Sequence, residues 1–231
     1  MNRQRAYREF IYKEAVFRIC CKSFDTVTAE IVRQRKILEA YISRHTEFQT
    51  AFEPVALLND TPYSAQQMAV AADRVGVGPM AAVAGTMAQL AAQAAINAGD
   101  TDVIIENGGD IFLQVDRPVV IEIFAGSDKL PGRLGFSLQP EQTPVSVCSS
   151  SGKMGHSMSL GQCDLATVVS KDAALADAAA TQAANLVRTP EDVEPTLNRI
   201  STIDGVIGVL IVKDDQVGMA GKLPPLVKIR T

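Results

Sequence analysis

Hydrophobic and polar positions alternate from Ala15 to Phe24 (AVFRICCKSF), the period of a strand with one buried face. A helical pattern capped by Asp25 or Thr26 then runs to about Arg44, with Ile31, Ile37, Leu38 and Tyr41 as its apolar stripe. Pro54 to Pro62 reads as loop and Ser64 to Val75 as a second helix. Gly76-Val77-Gly78 breaks that helix, and Pro79 opens the next one at its first position, where a missing N–H costs nothing. Met80, Val83, Met87 and Leu90 recur along this third helix at spacings of three, four and three. Its other faces are nearly all Ala and Gly, small enough for a second backbone or a ligand to come close.

The second half is richer in strands: Asp102–Glu106, Ile111–Val115, Val119–Phe124, Leu134–Leu138, Val145–Cys148 and Asp164–Ser170. Lys171–Val187 is an Ala-rich helix, Glu191–Arg199 a shorter one, and the chain closes with a hairpin turning at Asp214-Asp215. Helices and strands mix without regular βαβ alternation. The expected class is α+β, one domain over residues 1–231, with a mixed sheet and packed Ala-rich helices.

Composition narrows the function. Net charge is −4, which argues against a nucleic-acid binder. No Trp occurs, and aromatic residues make up only 5%, too few for extended base stacking. The first 45 residues carry ten Lys/Arg against five Asp/Glu, read as a solvated surface or as attraction for an anionic ligand. No signal-peptide pattern opens the chain, and the Ala-rich run Val75–Gly99 is too weakly hydrophobic for a membrane span. A cytoplasmic protein without membrane partners is expected, and an oligomer is compatible with the sequence. Cys20, Cys21, Cys148 and Cys163 form no CxxC pair and are expected as buried thiols.

Three short stretches carry candidate chemistry. Asn107-Gly108-Gly109-Asp110 separates two apolar runs. Asn-Gly there is a hairpin signal, while two successive glycines also leave N–H groups open to an anion or a flavin edge. Cys148 to Ser157 (CSSSGKMGHS) leaves a strand with three hydroxyls and a glycine, donors suited to phosphate, yet lacks the spacing of a Walker A loop. It contains His156, one of two histidines. In Ser170–Asn185, Asp177 and Thr181 stand one helical turn apart, a carboxylate and a hydroxyl able to share a hard cation such as Mg²⁺.

In this order, ENGGDI (Glu106–Ile111), SSSG (Ser149–Gly152) with His156, and ADAAAT (Ala176–Thr181) resemble the ApbE family of FAD:protein FMN transferases, and most closely its small cytoplasmic uncharacterised branch. The resemblance covers most of the chain. It implies a mixed α+β fold with FAD in a cleft and Mg²⁺ beside the pyrophosphate. A hydroxyl of an acceptor protein would attack the FMN phosphorus, and AMP would leave. By this likeness Asp177, Thr181 and the backbone carbonyl of Ala84 would hold the metal. Asn107, Gly108, Gly109 and Asp110, with Ser149, Ser150, Ser151 and Gly152, would bind the flavin nucleotide. His156 would serve proton transfer or the pyrophosphate, and Asp164 would stand in for the family's missing Asp-Pro. Ala84-Gly85-Thr86 replaces the family's Lys-Gly pair. The expected function is a Mg²⁺-dependent FAD-processing enzyme, a transferase or a pyrophosphatase. The alternatives are a non-catalytic flavin or nucleotide binder, and a thiol enzyme using Cys148 activated by Lys153 or His156.

Overall fold

The computed structural model describes residues 4–124, 133–152 and 161–229. Loop residues Lys153 and His156 lie outside them. An eight-stranded antiparallel sheet runs through the molecule in the order β1-β2-β3-β4-β7-β8-β9-β10. Its strands are β1 (Arg8–Tyr12), β2 (Ala15–Cys20), β3 (Val103–Asn107), β4 (Asp110–Gln114), β7 (Val145–Ser150), β8 (Leu165–Ser170), β9 (Val206–Lys213) and β10 (Gln216–Gly221). A small sheet, β5 (Val119–Ile123), β6 (Leu134–Leu138) and β11 (Leu226–Lys228), covers part of one face. Helices cover the other: α1 (Phe24–Arg44), α2 (Glu47–Thr50), α3 (Tyr63–Val75), α4 (Val83–Asn97), α5 (Ala173–Leu186) and α6 (Val193–Ser201). The class is α+β, as the mixed pattern of periods implies.

Strand alternation divides the core in two. Val103, Ile105, Phe112, Cys148, Ala166 and Val168 point toward the helices. Ile104, Leu113, Val145, Val147, Leu165 and Val169 point toward the small sheet, against Phe136 and Leu138. Both cores therefore share the same strands, and a one-residue slip would exchange them.

Several local expectations change. The first strand is preceded by β1, which pairs with β2 from Arg8↔Ile19 to Tyr12↔Ala15. In this edge strand Phe10, Ile11 and Tyr12 are consecutive and Ile11 is exposed, so no one-faced alternation marks it. The α1 helix starts at Phe24 with Ser23 at its cap position, not Asp25 or Thr26. Asp100, far along the chain, fixes this start: its carboxylate accepts from the Lys22 and Ser23 N–H groups, each at 2.8 Å, and from the Ser23 hydroxyl at 3.1 Å.

The third helix also starts later. Pro79–Ala82 forms a 3₁₀ turn, and α4 begins at Val83. Of the four large apolar residues, only Met87 is buried; Gly85, Thr86, Ala88, Ala91, Ala92 and Ala95 make the inner face. The small residues face inward because α4 crosses α5 at close range. A Cβ on Gly85 would lie 2.3 Å from the Ala173 carbonyl oxygen and 2.9 Å from Asp177 Cβ. A second stitch joins the helices where the Ala173 N–H donates to Gln89 Oε1 at 2.7 Å.

Candidate functional site

The Asn-Gly-Gly-Asp stretch is a tight hairpin turn. Asn107 and Asp110 are paired across β3 and β4, and Gly108 and Gly109 have φ of +64° and +103°. Both values suit glycine. A Cβ on either would meet nothing within 4 Å, so backbone conformation and not crowding selects these glycines. The two flanking side chains turn inward. Asn107 and Asp110 lie on the helix face and are each 6% exposed.

Asp110 and Asp177 form the centre of the site. Eleven of the fourteen α5 residues are buried, Asp177 and Thr181 among them, so this is not an exposed polar face. Asp177 accepts a hydrogen bond from the Gly85 N–H at 2.8 Å. Gly85 lies in the first turn of α4, whose leading N–H groups have no partners within the helix. The cap position is Ala82, which offers no side-chain bond, so Asp177 caps α4 from another helix. Asp110 accepts from the Ser149 N–H at 3.2 Å.

Electrostatics mark this pair as unusual. Burial raises the Asp177 carboxyl to about 7, opposed by the Gly85 and Ala84 amides. Burial, followed by the Asp177 charge, pushes Asp110 well above the carboxylate range. Two buried acids that among the described residues meet only neutral donors call for a proton or a cation. Among the described residues no cluster of three or more His, Cys, Asp or Glu is arranged to hold a metal. A cation here would therefore draw on carboxylate oxygens together with hydroxyl and carbonyl oxygens. Thr181, one turn beyond Asp177, and Ala84, whose carbonyl accepts from Asn107 Nδ2 at 3.2 Å, are of that kind. Such an all-oxygen set fits a hard divalent ion.

The remaining expected residues divide. Alternation places Ser150 on the helix face, where its Oγ is buried and has no hydrogen-bond partner among the described residues. Ser149 points to the opposite face and shares a hydrogen bond with Thr167 Oγ1 at 2.9 Å, so only its N–H reaches the acidic pair. Ser151 Oγ lies 3.5 Å from the Cys163 carbonyl oxygen, to which the Gly152 N–H donates at 2.9 Å. These last two close the base of the loop.

Asp164 is not brought to the pair. It sits at the head of β8 and its carboxylate accepts from the Asp214 N–H at 2.6 Å, bracing the β9–β10 turn. In the sheet order it is two strands from Asp110 and four residues along from Val168, the partner of Cys148. Strand spacing and rise put it on the order of 15 Å away. Asp164, expected as a substitute catalytic acid, has its carboxylate on the β9–β10 turn. His156, the other expected catalytic residue, lies outside the described residues.

Cys148 lies against both acids but is sealed, with its thiol 3.7 Å from the Ala173 carbonyl oxygen. Burial first, then Asp110 and Asp177, push the thiol well above its ordinary range. A thiolate nucleophile is disfavoured there. All four cysteines are free thiols, and Cys21 alone is only half-buried.

An antiparallel α+β sheet with buried acids between a glycine turn and two Ala-rich helices is a defined type of protein, and comparison names it. Residues 20–206 match the family described as "AbpE bacteria", and the chain belongs to that family. It is 39% identical over 203 residues to the UPF0280 protein MJ1526 of Methanocaldococcus jannaschii, covering 86% of this chain and 82% of the relative. It is 38% identical over 225 residues to a UPF0280 protein of Archaeoglobus fulgidus, covering 94% and 93%. Among solved structures, the flavin transferase ApbE from Vibrio cholerae has the same fold, with a TM-score of 0.55 at 13% identity over 95% of this chain and 97% of that one. The ApbE protein from Thermotoga maritima matches with a TM-score of 0.56 at 13% identity over 93% and 96%. No single helix among the described residues is long and apolar enough to cross a membrane.

Proposed function

We propose that this chain is a divalent-cation-dependent enzyme acting on a flavin nucleotide, transferring the FMN phosphoryl group of FAD to a hydroxyl. The observation that carries the reading is the buried Asp110–Asp177 pair at the start of α4, in a fold shared with named flavin transferases. The bond between the FMN phosphorus and the bridging oxygen breaks, AMP leaves, and the acceptor hydroxyl oxygen takes its place and gives up its proton. Bound Mg²⁺ would supply positive charge to the pyrophosphate. Asp177, Thr181 and the Ala84 carbonyl are the residues that would hold it.

The chain's own part is positioning and neutralisation, which is most of what phosphoryl transfer asks of a protein. The turn backbone at Gly108 and Gly109 borders open space where a Cβ would lie, and N–H groups of such a turn suit phosphate or flavin oxygens. Ser150 Oγ, buried and unpartnered among the described residues, is a donor for the same ligand. The acceptor is a hydroxyl of a second protein, or water if the chain acts as a pyrophosphatase.

One observation favours a second reading. Asp164 is committed to a turn, so the described site residues include no free general base, as expected of a flavin or nucleotide binder without chemistry. Incubation with FAD and Mg²⁺ separates the two. The enzymatic reading predicts AMP release that is lost in Asp177→Asn. Binding of FAD without AMP release, with or without a hydroxyl acceptor, contradicts it.

A further inference from the structure

We infer that Asn107 is a positioning residue that sets Asp177 through a single peptide group, and that it thereby couples the glycine turn to cation binding. The inference rests on the cation reading above and adds a residue that acts on the site without touching the ion.

The geometry is a clamp around the Ala84–Gly85 peptide. On one side the Ala84 carbonyl oxygen accepts from Asn107 Nδ2 at 3.2 Å. On the other, the N–H of the same peptide group donates to Asp177 Oδ2 at 2.8 Å. A carbonyl oxygen can only accept, so the Asn107 amide must present its nitrogen there. The peptide is thus held at both ends by side chains from two different elements, β3 and α5.

This peptide is where outside support is needed. It lies in the first turn of α4, directly after a 3₁₀ turn, and the cap residue Ala82 provides no side-chain bond. Helix ends are the least restrained part of a helix. Gly85 removes the steric restraint of a Cβ, and it must, since a Cβ would meet Asp177 Cβ at 2.9 Å. The orientation of the Gly85 N–H is therefore fixed by Asn107 and Asp177 together. Asn107 is itself fixed, paired across the hairpin with Asp110 and 6% exposed. The clamp thus sets the direction in which the Asp177 carboxylate faces. Groups that orient a metal ligand from behind typically contribute about 10- to 100-fold in affinity.

The test uses Asn107→Ala and Asn107→Leu, which remove the amide with and without loss of volume. Ile105→Val is the control, on the same strand and face but away from the clamp. Mn²⁺ affinity is read by paramagnetic resonance at pH 8, and Gly85 amide exchange by NMR in metal-free protein. Both Asn107 variants should bind Mn²⁺ about 10-fold or more weakly and exchange the Gly85 amide faster than wild type. Ile105→Val should lower the melting temperature yet keep Mn²⁺ affinity within about twofold of wild type. Unchanged Gly85 exchange in both Asn107 variants overturns the inference, as does unchanged Mn²⁺ affinity or an equal loss in Ile105→Val. A wild type that binds no Mn²⁺ overturns the cation reading itself; the Gly85 exchange then decides the clamp alone.

Discussion

The two faces of the eight-stranded sheet are built from the same strands and do opposite things. Toward the small sheet, Leu113, Val147 and Leu165 meet Phe136 and Leu138 in a largely apolar layer that holds no charged group among these residues. Toward the helices, the alternate residues of the same strands include Asn107, Asp110 and Ser150, buried with Asp177 and Thr181. Neighbours on β4 show the contrast: Leu113 is buried in one core, and Asp110, three residues earlier, in the other. The two acids, with Asn107, Ser150 and Thr181, gather where the β3–β4 turn meets the start of α4, while Ser146 and Ser170 lie further along the same face with backbone carbonyl partners. One face of the sheet holds the fold together, and one end of the other face gives up stability to hold buried charge.

If that division is right, the two faces respond differently to substitution. The largest effect is expected on the apolar face. Phe136→Ala removes a fully buried ring and should cost about 3–5 kcal/mol in chemical denaturation. At a temperature where the variant is folded, its affinity for Mn²⁺ should match wild type; a parallel loss would mean that the two faces are not separable.

On the polar face, Asp177→Ala should reduce AMP release from FAD by on the order of 100-fold or more, the scale of losing a group that organises charge in a transition state. Metal-free stability should move the other way. The folded protein holds a proton on Asp177 up to about pH 7, whereas the unfolded chain releases it near the ordinary value of 3.8. The folded state binds more protons across that window, so wild-type stability falls as pH rises through it. Asp177→Asn should reduce this decline, leaving the part due to Asp110, and melt higher than wild type at pH 8 without metal, by roughly 2–8 °C.

Gly85→Ala tests the crossing that brings the helices together. The added Cβ meets a carbonyl oxygen and Asp177, neither able to move without shifting a helix. The expected cost is about 2–3 kcal/mol, with a marked loss of Mn²⁺ affinity. Calorimetry and Mn²⁺ titration on the same sample would show whether the two losses come together. The smallest effect belongs to Asp164→Asn. Its amide oxygen can still accept from the Asp214 N–H, so stability should change by about 1 kcal/mol or less and AMP release by less than threefold. A collapse of turnover would return Asp164 to the catalytic role that the sequence suggested.

The contrast between the faces was only half visible in the sequence. The apolar runs Ile111–Val115 and Val145–Cys148 placed these strands well, and Asn-Gly-Gly located the hairpin. The spacing of Asp177 and Thr181 placed both on one helical face, and the Ala sheath hinted at burial. What the sequence hid depends on distant partners. Asp100 anchors the start of α1 across 77 positions, and no local signal marks it. The small residues along α4 left room for a second backbone, which α5 fills at Gly85, though nothing local names that partner. Asp164 looked available because Asp214, its partner, lies 50 residues away. Asn107 and Ala84 were each singled out, for different ligands; that one peptide ties them to Asp177 appears only in three dimensions.

The central claim is that the buried site around Asp177, beside Asp110, is built to hold a divalent cation. Its most direct test is calorimetric titration of Mn²⁺ and Mg²⁺ into wild type and Asp177→Asn from pH 6 to 8. Wild type should bind one ion. Because Asp177 must give up its proton, affinity should fall by about tenfold for each pH unit below about 7. Asp177→Asn should bind far more weakly and with little dependence on pH. Equal affinity in the two proteins, or wild-type binding that does not change with pH, would contradict the account.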